Sequence, residues 1–155
     1  MANTFTQLHV HFVFAVDGRQ SLIQAHFRQE LEKFIAGIIE KRNHKMLAIY
    51  CMPDHVHILV GKRPNQSESD LMRDIKTNSS AFVNGQAWIK HRFSWQEGYG
   101  AFAYSKSQVD RVIAYILNQP EHHKKQSFKE EFLEMLANFG IEYDEQYLFK
   151  WIADV

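Results

Sequence analysis

The segment Pro53-Asp54-His55-Val56-His57-Ile58-Leu59-Val60 carries the side chains best suited to chemistry in this sequence. In an extended strand alternate residues share a face, so His55, His57 and Leu59 point one way and Val56, Ile58 and Val60 the other. Imidazoles two positions apart stand about 7 Å from each other, close enough to grip one cation. The opposite face is purely apolar and suited to lie under helices. The same spacing recurs at His9-Val10-His11, and spacing alone does not choose between the two pairs. Two surface histidines on an edge strand would leave the same signature.

A second constellation lies further along. Arg111, Tyr115 and Gln119 are spaced four apart and make one ladder along a helix. The apolar stripe of that segment is Val109, Val112, Ile113 and Ile116, which puts Tyr115 and Gln119 at its flank, about 100° from the stripe's centre. A tyrosine there either lies flat on the edge of the core or reaches a substrate, with the Gln119 amide oxygen as a third metal ligand. Two neutral imidazoles and an amide leave the charge of a divalent cation intact for polarising a phosphate. That ligand set suits Mg or Mn, and the single cysteine, Cys51, makes no cluster for zinc.

The elements that must position these groups follow from periodicity. Thr6 to Val16, rich in β-branched and aromatic residues, reads as a strand ended by Asp17-Gly18. Phe27, Leu31, Phe34 and Ile38 repeat at helical spacing, so about Gln24 to Lys41 should be a helix. Lys45–Met52 and Asp54–Lys62 form an antiparallel hairpin with Pro53-Asp54 at its turn. Ser67 or Ser69 caps a second helix that buries Leu71, Ile75 and Phe82. Phe93 to Tyr104 combines a glycine-containing loop with a short strand. A third helix runs from about Ser107 to Gln119, stopped by Pro120, and a fourth spans Phe128 to Asn138, ending at Gly140. The order β-α-β-β-α-β, then helices, predicts an α+β fold: a ferredoxin-like or RRM-like antiparallel sheet with helices on one face and a C-terminal helix carrying the tyrosine.

A chain of 155 residues fits one domain over 1–155. Apolar content of 45% and aromatic content of 14% exclude a disordered chain. No apolar run approaches the roughly 20 residues of a membrane span. Met1-Ala2-Asn3-Thr4 lacks the plan of a secretory signal, and a lone cysteine suits the reducing cytoplasm. The net charge of zero argues mildly against nucleic acid. Its distribution argues the other way: Lys41 to Arg92 holds nine basic and four acidic residues, whereas Ser127 to Val155 holds two and seven.

Taken in order, three segments resemble the single-tyrosine HUH transposases of the smallest bacterial insertion sequences, the IS200-like family, named for a His-hydrophobe-His motif. They are Met52-Pro53-Asp54-His55-Val56-His57-Ile58-Leu59, Phe93-Ser94-Trp95-Gln96-Glu97-Gly98-Tyr99-Gly100-Ala101-Phe102, and Tyr115-Ile116-Leu117-Asn118-Gln119 followed by His122-His123. The resemblance extends from the first strand to about Tyr147. It implies that His55 and His57 form the metal motif while His9 and His11 stand outside it. It further implies Tyr115 as nucleophile, forming a 5′-phosphotyrosine, and Gln119 as the extra ligand. Pro120, directly after Gln119, is a less expected feature. The implied substrate is single-stranded DNA with hairpins at element ends. The implied assembly is a homodimer in which one subunit's tyrosine helix can complete the partner's site.

Arg111, one turn before Tyr115, is a candidate phosphate clamp or a solvated helix charge. Lys62, Arg63, Arg73, Lys76, Lys90 and Arg92 are candidates for holding the DNA backbone. Trp88, Trp95, Phe93 and Tyr99 either stack bases or fill the core. Three other readings fit the same residues: a domesticated relative acting on repeated chromosomal hairpins, a non-catalytic module binding single strands, and a phosphodiesterase that uses water with Tyr115 merely packed.

Overall fold

The extended runs and the helical-period segments between them fold in the order expected, β-α-β-β-α-β followed by short helices. The computed structural model describes residues 3–18 and 22–151, so both ends of the domain expected over 1–155 lie outside the described residues. Strands β1 (His9–Ala15), β2 (Lys45–Cys51), β3 (His55–Gly61) and β4 (Gly100–Tyr104) form one antiparallel sheet in the order β2-β3-β1-β4. This is the ferredoxin-like order, with the two histidine-bearing strands at the centre. A turn with Met52 N–H on the His55 carbonyl (2.8 Å) closes the β2–β3 hairpin.

Helices α1 (Arg28–Lys41) and α2 (Glu68–Asn84) cover one face. They bury Leu31, Ile35, Leu71 and Ile75 against Phe12, Phe14, Ile58 and Val60. Each such side chain contributes about 1.5–3 kcal/mol by leaving water. Ser67 caps α2, its hydroxyl accepting from the Asp70 N–H at 3.1 Å. Helix α1 starts later than its periodicity predicts. Ile23 and Phe27 are buried, but Ile23 N–H bonds the Pro53 carbonyl (2.9 Å) and ties this approach to the hairpin instead of to a helix.

The opposite, histidine-bearing face is also roofed. Helix α3 (Val109–Leu117) sets Val112 and Ile116 on Ala48 and Leu59. Helix α5 (Phe128–Asn138) sets Phe128, Phe132, Met135 and Leu136 on Val13, Ala15 and Phe102. A capping box between Ser127 and Glu130 starts α5, and Gly140, at φ 65°, follows its end. Helix α3 does not continue to Gln119 as its ladder predicts. Pro120 has no N–H for the Ile116 carbonyl and its ring would strike that oxygen. The helix therefore ends at Leu117, Asn118 takes φ −99° and ψ 17°, and Gln119 opens the one-turn helix α4 (Gln119–His122). Among the described residues no helix is long and apolar enough to cross a membrane.

Gly100, at the start of β4, lets α5 approach the sheet. A Cβ there would lie 2.8 Å from Cε1 of Phe132 and 2.9 Å from Cε2 of Phe102, both buried rings. Gly100→Ala should therefore destabilise the protein by about 1–3 kcal/mol, read as a lower urea midpoint, because the overpacked rings must move.

Candidate active site

Strand register builds the site from below. His55, His57 and Leu59 of β3 lie opposite Ala15, Val13 and His11 of β1, all on the face roofed by α3 and α5. Both motif histidines are fully buried. The ring of His55 stacks on Phe128 at 3.9 Å, and its Nδ1 lies 2.7 Å from Oδ1 of Asp54. A carboxylate accepts there, so Nδ1 carries a proton. The His55 Nε2 is buried with no hydrogen-bond partner, 3.6 Å from Oε1 of Glu131. The Oε1 atom of Gln119 is buried and equally unpartnered. Two unpartnered metal-ligating atoms on a buried polar face fit a bound cation, and the Asp54–His55 contact is the orienting bond that metal-binding histidines usually make.

His57 is held at both ends. Its Nδ1 lies 2.8 Å from Nε2 of His11, and its Nε2 donates to Oε1 of Glu131 at 2.9 Å. Glu131, on α5 and 2% exposed, is the hub. Its Oε1 also lies 3.2 Å from Nε2 of His123, while Oε2 accepts from the Tyr115 hydroxyl and from Nε2 of Gln119 at 3.1 Å. His122 stands 3.4 Å from both the Tyr115 hydroxyl and Oε2. Ligand atoms of His55, His57, His123 and Glu131 all fall within 4.8 Å of one another.

Electrostatics follow from this burial. Desolvation alone would raise the Glu131 carboxyl, but hydrogen bonds from His123 and His57 hold it far below the ordinary carboxylate value. Burial pushes His57 down to about 4 against the pull of Glu131, so its imidazole is neutral at neutral pH. Burial and His57 likewise lower His11. For His123 burial opposes the charged form, yet the bond to Glu131 prevails and its pKa rises. Tyr115 is raised well above an ordinary phenol by burial, then by the charge and hydrogen bond of Glu131.

Four of the sequence-derived residues thus meet: His55, His57, Tyr115 and Gln119. His11, set aside as outside the motif, joins the same cluster as the partner of His57. Arg111 lines a cavity of about 240 Å³ with Tyr104, Tyr115, His122, Glu131 and Phe139. The other cations differ in their local partners. Lys62 is buried, its ammonium on the carbonyls of Arg63 (2.9 Å) and Gln66, and Lys76 donates to the carbonyls of Gln96 (2.8 Å) and Gly98 (2.6 Å). Both hold loops. Arg73 pairs with Asp70 at 2.8 Å, and Arg63 reaches the Asn43 carbonyl at 3.2 Å. Lys90 and Arg92 are exposed after α2. The aromatics are mostly core: Phe93 is buried, Trp88 stacks on Phe27 at 4.7 Å, and Trp95 meets Phe14 and donates to Ser79.

Sequence reasoning missed Glu131, His123 and Asp54. Glu131 had a signal: it interrupts the apolar stripe Phe128, Phe132, Met135, Leu136, where a charge must find buried partners.

Comparisons with known proteins agree with this geometry. Residues 4–119 match the family model described as "Transposase IS200 like". The transposase for insertion sequence element IS200 of Salmonella typhimurium is 26% identical over 129 residues, covering 80% of this chain and 84% of that protein. A solved Deinococcus radiodurans structure assigned as a transposase superposes with a TM-score of 0.57 at 22% identity, covering 77% of this chain and 95% of that one. A REP-associated tyrosine transposase bound to a REP hairpin superposes at 0.58 with 19% identity, covering 79% and 73%. These two share the fold.

The His11–His57 bond fixes the orientation of the second motif ring. His11→Phe should keep the fold by circular dichroism and weaken Mn2+ binding about 10–100-fold in calorimetric titration, the usual effect of removing such a partner.

Proposed function

The chain belongs to the IS200-like transposase family, and from that premise we propose that it cuts and rejoins single-stranded DNA with Tyr115 as the nucleophile. The observation that carries this reading is convergence. Side chains from β3, α3 and α4, far apart in sequence, meet at one buried carboxylate beside a cavity that Arg111 and Tyr115 line.

In the proposed reaction the Tyr115 hydroxyl oxygen attacks phosphorus, the oxygen–phosphorus bond forms, and the bond to the 3′-oxygen breaks. Oε2 of Glu131, already accepting from that hydroxyl, takes the proton, and the departing 3′-oxygen takes a proton from solvent water and leaves as a hydroxyl. An ordinary phenol has a pKa near 10, so phenolate leaves more readily than an alkoxide and the 5′-phosphotyrosine can be reversed by a second 3′-hydroxyl. His55, His57 and Gln119 would hold a divalent cation, Mg or Mn, which supplies Lewis-acid polarisation of the scissile phosphate. The unpartnered Nε2 of His55 and Oε1 of Gln119 support that assignment. Arg111 would bind a phosphate oxygen and Arg63, Arg73, Lys90 and Arg92 the DNA backbone, readings supported by the cavity that Arg111 shares with Tyr115 and by the exposure of the others.

A DNA hairpin is the proposed substrate feature, supported by the fold shared with a transposase bound to one. The proposed assembly is a cytoplasmic homodimer of one domain per chain. Within one chain Tyr115 meets the histidine cluster, and in the proposed dimer the tyrosine helix of one subunit can complete the site of the other. Light scattering should give twice the chain mass; a monomer mass at working concentration would count against the dimer.

The chemistry is tested by mixing labelled single-stranded DNA from the gene's flanks with protein and Mn2+, then resolving covalent adducts on a denaturing gel. The adduct should form with the wild type, vanish with chelator, and fall at least about 10³-fold in Tyr115→Phe, as for other removed nucleophiles. A metal-dependent cut that persists in Tyr115→Phe would instead assign the attack to water.

A further inference from the structure

Glu131 lies beyond residues 4–119 that match the family, on a helix whose other inward residues are apolar. Its place in the site needs a reason. Oε1 stands 2.9 Å from Nε2 of His57, 3.2 Å from Nε2 of His123 and 3.6 Å from Nε2 of His55. The last contact is the informative one. Nδ1 of His55 is held by Asp54, and its other ring nitrogen, buried and without a hydrogen-bond partner, faces the Glu131 oxygen from too far for a hydrogen bond. That gap, between two groups that both ligate metals, is where a cation would fit. The ligand atoms of His55, His57, His123 and Glu131 all lie within 4.8 Å of one another, so small side-chain shifts would bring them onto one ion. The contacts to His57 and His123 are hydrogen bonds that such an ion would replace.

We propose that Glu131 is itself a ligand of the cation, together with His55, His57 and His123, so that cation binding and the docking of α5 on the sheet are coupled. The proposal rests on the reading of His55 and His57 as a metal site. The Gln119 amide nitrogen, which donates to Oε2, orients the carboxylate, while its Oε1 stays available as the ligand proposed above. Three imidazoles and one carboxylate are a softer set than Mg2+ prefers, so Mn2+ should bind more tightly than Mg2+. The coupling also has a structural route. Phe128 of α5 stacks on His55, and Phe149 packs on Phe128 and Phe132. The Gln96 amide clamps the chain beside it, donating to the Lys150 carbonyl (2.8 Å) and accepting from the Lys150 N–H (2.7 Å).

The experiment titrates the full chain with Mn2+ by calorimetry for the wild type, Glu131→Gln and His57→Ala, with thermal melts in EDTA to confirm folding. Glu131→Gln should weaken Mn2+ binding at least about tenfold. Hydrogen exchange of residues 128–138 in the wild type should slow on adding saturating Mn2+, a readout that needs no substitution. Unchanged affinity in Glu131→Gln would overturn the proposal. So would tighter binding, which would make the carboxylate a plug that the cation displaces, or unchanged exchange over α5. In these cases loss of binding in His57→Ala would leave the metal site itself standing. A wild type that binds no Mn2+ would remove both readings together.

Discussion

A buried carboxylate organises this protein's site. An isolated charge taken from water into an apolar interior is prohibitively unfavourable, so Glu131 can occupy its position only because every direction from it is polar. Its two oxygens meet His57, His123, the Tyr115 hydroxyl and the Gln119 amide. These groups come from β3, α3, α4 and the segment after α4. One residue of α5 thereby fixes how four other pieces of chain sit on the sheet. Replacing it by an apolar residue would leave two imidazoles, a phenol and an amide without their common acceptor.

The sheet sets the depth at which this happens. Central placement of β3, between β1 and β2, keeps His55 and His57 away from an edge, and the roof of α3 and α5 removes them from solvent. Burial is what keeps the His57 imidazole neutral at neutral pH. The break at Asn118 serves the same end. A continuous helix would carry Gln119 along the axis of α3, one turn beyond Tyr115. The short α4 instead turns Gln119 inward until it is fully buried, and brings His122 and His123 round to the same carboxylate.

Much of this was legible in the sequence. Period-two alternation placed His55 and His57 on one face of a strand, Ser67, one of two candidate caps, opens α2, and the interval Phe128–Asn138 is the observed α5. What could not be read was which helix would roof the histidine face. Periodicity reports that Phe128, Phe132 and Leu136 are buried, not what they are buried against. His11 was discounted for a related reason: motif matching treats a second His-x-His as a competitor, whereas antiparallel register puts it across from Leu59 and within reach of His57. Charge counting also cannot see local carbonyls. Lys62 and Lys76 have the composition of phosphate ligands and the surroundings of loop anchors.

The same carboxylate ties Tyr115, the proposed nucleophile, to the histidine cluster. With Glu131 negative and the hydroxyl buried, Tyr115 keeps its proton more firmly than a free phenol would. Such a tyrosine is a poor nucleophile on its own. The two oxygens of Glu131 divide the surroundings: Oε1 faces the imidazoles and Oε2 faces the phenol. Positive charge gathered on the Oε1 side, from His123 or from a cation, weakens the field that raises Tyr115 without touching the hydrogen bond that aims it. A phenol 16 residues away in sequence from its acceptor can therefore be aimed by the fold while its reactivity follows the charge state of the cluster. This division explains why a charged residue belongs where the helix pattern calls for an apolar one.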